Sequence, residues 1–268
     1  MIRSSIRTAG FTLIELAMVL FIVSLLIGGL MLPLSAQHEI RGRQETERAL
    51  ANIREALIGF AVVNGRLPCP AQASIATETA NAGVEAVTAA GGPCACADTT
   101  NGVATIGATV CDHDDNGSPS GVTGVLPWAT LGLPETDAWG SRYTYRVSTR
   151  FGRLASGQTV FGACTPATNP TTAAFALCSA GDMTVMTASG GTTIASSVPA
   201  IVVSHGKNML GAYSQTGTQI AGAAGDELEN ADGNANATFV SSTSIDDLVI
   251  WIPGSVLMSK MLAAGKLP

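Results

Sequence analysis

The feature that most constrains this chain is an apolar run over residues 11–34 that carries a single acid, Glu15. Its 24 residues are enough to cross a bilayer as a helix. Arg3 and Arg7 precede it with no acid between them, a charge bias that keeps that end in the cytoplasm and sends the rest of the chain across. Two organisations follow. An ordinary secretory signal would end near Ala36 and release a soluble binding domain or enzyme, but such signals have an apolar core of only about 7–15 residues. Nor does a signal gain anything from an acid. A cut between Gly10 and Phe11 instead keeps the run in the mature chain as a transmembrane helix. Acids inside a membrane are usually paired, so Glu15 calls for a cation.

The stretch GFTLIEL, 10–16, resembles the cleavage and methylation motif of type IV prepilins and type II secretion pseudopilins. The resemblance implies a prepilin peptidase that cuts after Gly10 and methylates the new amine of Phe11. It also implies that Glu15 recruits the amino terminus of the next subunit during filament assembly. The Phe11 amine of another copy is then the cation that Glu15 lacks in a lone subunit. The implied partners are other pilin or pseudopilin subunits, the peptidase and an inner-membrane assembly platform. The implied location is the bacterial inner membrane, with the carboxyl-terminal head in the periplasm and the subunit assembled into an envelope or surface filament.

The expected fold class is α+β. A long amino-terminal helix, membrane span plus amphipathic stalk, packs on an antiparallel sheet with large disulfide-stapled loops. Residues 1–10 read as a leader, 11–34 as the span, 35–64 as an amphipathic helix and 65–268 as the head. Leu50, Ile53, Leu57 and Phe60 recur at helical spacing, and Asn64-Gly65 ends the pattern. Tyr143, Tyr145 and Val147 alternate with Arg142, Thr144 and Arg146 as a half-buried strand would. Arg142, Arg146, Arg150 and Arg153 therefore read as a solvated strand face. DAWGSRYTY, 137–145, resembles the D-x-W-G-x-x-Y-x-Y turn and strand of the major pseudopilins. AIVVS at 200–204 and LVIWI at 248–252 read as buried strands, and residues after Gly254 as a short helix stopped by Gly265.

Charged residues are only 13% of the chain and the net charge is −6, which argues against a nucleic-acid partner held through phosphates. Six cysteines follow the apolar run: Cys69, Cys94, Cys96, Cys111, Cys164 and Cys178. In an oxidising compartment all can pair. Loop closure favours Cys164 with Cys178, which leaves the other four to pair among themselves. No hydrolase or phosphate-binding motif is present, and His38, His113 and His205 read as surface or turn residues, so no catalytic residue is expected.

Two acidic loops are candidate calcium sites. In DHDDNG, 112–117, Asp112, Asp114 and Asn116 alternate ahead of a glycine, as at the start of a calcium loop. The twelfth position is Thr123 rather than the bidentate glutamate, so a plain Asx turn is equally open. GDELENADGN, 225–234, offers Asp226 and Asp232 as first ligands, with Asp246 next. Its placement resembles the calcium loop of the major pseudopilins, and calcium is the cofactor expected.

Overall fold

The computed structural model describes residues 12–88, 94–96, 104–106, 109–110, 121–152, 172–231 and 237–267; for 28–36, 96, 109 and 110 it describes the backbone alone. The chain divides into two compact units, 1–42 and 43–268. Helix α1, Leu13–Asn64, contributes to both.

In the first unit every described side chain of α1 from Leu13 to Ile27 is exposed. Among the described residues no helix is long and apolar enough to cross a membrane. That corrects the expectation of a transmembrane helix over 11–34.

In the second unit the elements follow as β1 (Ala95–Cys96), β2 (Thr109–Val110), β3 (Gly121–Val125), α2 (Trp128–Leu131), β4 (Thr144–Ser148), α3 (Thr149–Gly152), β5 (Met183–Met186), β6 (Thr193–Val198), β7 (Ala200–Ser204), α4 (Asp226–Ala231), β8 (Thr238–Val240), β9 (Leu248–Ile252) and α5 (Gly254–Ala263). The main sheet is antiparallel, in the order β3-β4-β7-β9. A smaller sheet runs β6-β5-β8, and its β5–β8 pair is parallel. The antiparallel sheet that was expected is the main one. The parallel pair forms because β8 returns only after the chain has passed through β6, β7 and α4, a connection long enough to reverse direction.

The layers follow from the alternation of side chains along a strand. Ala200 and Val202 of β7 join Leu50, Ile53 and Leu57 of α1 in one core cluster. Ile201 and Val203, pointing the other way, join Met183, Val185 and Phe239 of the small sheet in a second. The main sheet is thus covered on both faces, which buries β4 and β7 at every position. This overturns the half-buried reading of β4, and with it the solvated face: Arg142 and Arg146 are both buried. Arg153 lies outside the described residues.

Both helix ends have a physical stop. At Gly65 φ is +72°, and a Cβ there would sit 2.3 Å from the Thr172 carbonyl oxygen, so no other residue fits. Gly265, at φ +67°, closes α5 and donates its amide to the Leu262 carbonyl.

One disulfide joins Cys69 to Cys94 across 25 residues. Closing that loop stabilises the fold by about 3.5 kcal/mol on chain-entropy grounds. Cys178 is disulfide-bonded too, to a partner whose side chain is not among those described. Cys111 and Cys164 lie outside the described residues, as does the side chain of Cys96.

Candidate functional site

Glu15 is the site residue with the clearest local account. Thr12 precedes the first helical residue and donates to Glu15 Oε2 twice, from its amide and from its hydroxyl, each at 3.0 Å. The Glu15 amide returns a bond to Thr12 Oγ1 at 3.3 Å. This is a capping box, in which a threonine and an acid three residues later satisfy each other's amides at a helix start. The Thr12 bonds hold the Glu15 carboxyl below its ordinary range, and the positive end of the helix dipole favours the same charge. In a lone chain Thr12 thus gives the Glu15 carboxylate two hydrogen-bond donors, neither of them a cation. Gly10 and Phe11 lie outside the described residues.

Around Glu15 and as far as Ile27 the described surface of α1 is mostly apolar. Leu13 is 88% exposed, Ile14 77% and Phe21 67%, and Leu16, Met18, Leu20, Leu25 and Leu26 are exposed as well. A contiguous surface of this kind marks an interaction site.

The acidic loop contributes α4, whose first residue is Asp226. Its carboxylates are answered by neighbouring donors. Asp226 Oδ1 accepts the Ser189 amide at 2.8 Å, and Glu229 accepts the Ser189 hydroxyl. Asn208 ties the loop to the next segment, giving its amide to Asp246 Oδ2 and its side-chain nitrogen to Glu227 Oε1. Among the described residues no three His, Cys, Asp or Glu side chains converge as a metal set. Asp232, Asp112, Asp114 and Asn116 lie outside the described residues.

Behind that loop is a buried polar layer. Thr144 Oγ1 shares a 2.8 Å hydrogen bond with His205 Nε2, and His205 Nδ1 stands 3.8 Å from Asp247 Oδ2. Asn230 donates to the same Asp247 oxygen at 2.8 Å and exchanges two bonds with the backbone of Val240. Burial holds His205 down at about 4. Burial first, with help from the charges of Asp246 and Glu227, pushes Asp247 up to about 7. A hydroxyl, an imidazole and a carboxylate in line have the order of a hydrolase triad, yet all three are buried. The 3.8 Å gap exceeds a hydrogen bond, and a hydroxyl closed to solvent meets no substrate. The arrangement is a structural clamp between β4, β7 and the loop that enters β9. His205 was expected as a surface or turn residue; it does follow β7 at the start of a turn, but it is not at the surface. It is buried because Ser204 and His205 enter the layer where β7 ends, beneath the loop that precedes β9.

The DAWGSRYTY stretch has a comparable explanation. Asp137 Oδ1 accepts the amides of Trp139 and Ser141, and Oδ2 accepts the Ser204 hydroxyl at 2.7 Å. Gly140 sits at φ +89°, where a side chain would be strained. Tyr145 donates its hydroxyl to the Pro68 carbonyl. The motif is a turn that docks β4 on β7. Sequence reasoning missed Thr144, Asn230 and Asp247 because the layer's partners stand 17 and 61 residues apart and carry no spacing signal. In comparisons with family models, curated proteins and solved structures, nothing matches this chain.

Proposed function

We propose that this chain is a structural subunit, a minor pilin or pseudopilin, of a type IV pilus-like filament or type II secretion pseudopilus. The observation that carries the reading is the exposed apolar surface of residues 13–27, which is suited to packing against the same segment of other copies. The GFTLIEL resemblance supports it, with a prepilin peptidase cutting after Gly10 and an inner-membrane assembly platform as further partners. The disulfides suit a head that folds in an oxidising compartment outside the cytoplasm. On this reading the chain carries no catalysis of its own.

The capping box separates two roles of Glu15. Glutamine serves at this capping position as glutamate does, so Glu15→Gln retains the bonds to Thr12 and loses the charge. If Glu15 pairs with the Phe11 amine of a neighbour, Glu15→Gln leaves the helix intact but cuts filament yield severely, as Glu15→Leu does. Wild-type filament yield from Glu15→Gln would reduce Glu15 to a helix cap. The mature mass gives the companion measurement. A chain beginning at Phe11 with one added methyl supports the filament reading, and a chain beginning near Gln37 supports a secreted soluble protein.

Calcium belongs to the same proposal, at the loop from Asp226 to Asp232 with Asp246 beside it. The carboxylates that Ser189 and Asn208 now hold would exchange those donors for the cation. Calcium is then expected to raise the melting temperature more than magnesium does, and Asp226→Ala with Asp232→Ala to remove the difference. Equal melting in calcium and in chelator removes calcium from the proposal.

A further inference from the structure

A cavity of about 510 Å3 opens where the edge strand β6 meets the turn from β9 into α5. That volume lies within the range of small-ligand sites. None of its lining residues is charged. One wall is the indole of Trp251, which also packs on the cluster between the two sheets and is therefore held in place. Ser179, Ser196, Ser197 and Ser255 bring four hydroxyls to the rim. The floor includes Gly254, the first residue of the ten-residue helix α5. Its N-cap is Pro253, which supplies no side-chain cap, so the first-turn amides of Gly254 and Ser255 are left as donors.

The backbone supplies a second observation. Ser197 holds φ at +55°, a conformation unusual for a residue with a side chain. It keeps that geometry with its carbonyl bound by the Gly181 amide. Non-glycine residues in this region cost free energy and concentrate at ligand-binding positions.

The chemistry of the lining selects the ligand. A cavity without charge has nothing to offset the desolvation of an ionic ligand. An indole face takes up an apolar planar or C–H face, and four hydroxyls with two free amides take up a ring of hydroxyl groups. A pyranose has both: axial C–H groups on one face and hydroxyls around its edge. We propose that this cavity binds a neutral pyranose, stacked on Trp251 and bonded by the serines of β6 and the start of α5. The inference stands apart from the filament reading, since every residue it uses lies in the second unit.

The test uses the full chain in a detergent that carries no sugar. The probes are glucose, galactose, mannose, N-acetylglucosamine and their neutral disaccharides at millimolar concentration. Saturation-transfer NMR is expected to show transfer to the C–H protons of at least one pyranose, with a disaccharide binding more tightly than its monosaccharide. Trp251→Ala is expected to weaken binding at least tenfold, and Trp251→Phe to weaken it less. Ser196 is exposed on an edge strand, so Ser196→Arg blocks the cavity without disturbing the core. It is expected to abolish transfer while the melting temperature stays at the wild-type value. No transfer to any probe overturns the proposal. So does transfer that survives Ser196→Arg. Binding of surface glycans without binding of the free sugars would place recognition outside this cavity and overturns it equally.

Discussion

Arg142→Ala is expected to lower the stability of the chain by roughly 3–5 kcal/mol, the cost of removing one partner from a buried ion pair. Arg142 is fully buried, and each of its five N–H donors has an acceptor. Nε bonds Glu135 Oε1 at 2.8 Å. Nη1 bonds the carbonyls of Ala73 and Ile75, and Nη2 bonds Thr77 Oγ1 and the Gln215 carbonyl. The guanidinium also lies 4.7 Å over the Trp128 ring. One side chain therefore fastens the 73–77 loop, the 213–217 turn and the start of β4 together. Alanine leaves the Glu135 carboxylate and three carbonyls short of a donor in a poorly solvated space. For a unit of this size the loss corresponds to a fall in melting temperature of roughly 10 °C. Arg142→Lys keeps the charge but presents only three donors without the planar fork, so it falls between the two. A melting temperature for Arg142→Ala within two degrees of wild type, where 2–4 °C corresponds to about 1 kcal/mol, would show that the hub is not structural.

The same arginine shows where sequence reading stops. The alternation of Tyr143, Tyr145 and Val147 identifies β4 correctly. It says nothing of what covers the opposite face. An arginine every fourth residue looks solvated until the 73–77 loop and the 213–217 turn close on Arg142 and the small sheet covers the face that Arg146 shares with Ile201. That sheet leaves little pattern in the sequence: β6 is mostly exposed, and β8 is three residues long and pairs in parallel with a strand more than fifty residues earlier. Local signals fared better. Leu50, Ile53 and Leu57 of the stripe are buried as its period requires and Phe60 is half-buried, and the stops at Asn64-Gly65 and Gly265 fall where glycine is needed.

Glu15 is an intermediate case. Thr-x-x-Glu at 12–15 is a readable capping box, but inside a long apolar run the acid invites a membrane explanation first. The structure gives the charge a local partner, so an intermolecular role for Glu15 has to compete with bonds it already makes. For that reason the glutamine variant is more informative than the leucine one. The buried layer of Thr144, His205, Asn230 and Asp247 had no signal at all. Its members come from four separate segments, and each alone is an ordinary polar residue at the end of a strand or helix.

That layer carries the second large effect, and it appears only when one member is changed. His205 is held at about 4 against an ordinary 6.5. Below pH 6.5 the unfolded chain therefore takes up a proton that the fold refuses. The His205 contribution is present above 6.5 and is lost as pH falls toward 4. Asp247, raised from 3.8 to about 7, works in the opposite sense. The folded carboxyl keeps a proton that the unfolded chain has released, so its contribution is present below 3.8 and is lost as pH rises through 7. Between about 4 and 6.5 the folded chain holds one proton on Asp247, and the unfolded chain holds one on His205. The counts match, so the pair adds no slope to the stability of the wild-type chain. Asp247→Asn keeps an acceptor for Asn230 and removes one of the two titrations. With chelator present, the stability of the variant relative to wild type is expected to rise with pH across that window. Across that window the rise is about 3 kcal/mol, because the variant lacks the proton that Asp247 keeps in the wild-type fold. Above pH 7 the variant is also spared a buried carboxylate that faces Asp246 and Glu227, so it is expected to be the more stable of the two. Denaturant titrations of both chains from pH 4 to 8 measure this difference directly. A difference that is flat with pH would mean that Asp247 releases its proton in the fold as freely as in the unfolded chain; a wild-type stability that slopes across the window would mean that His205 does not offset it.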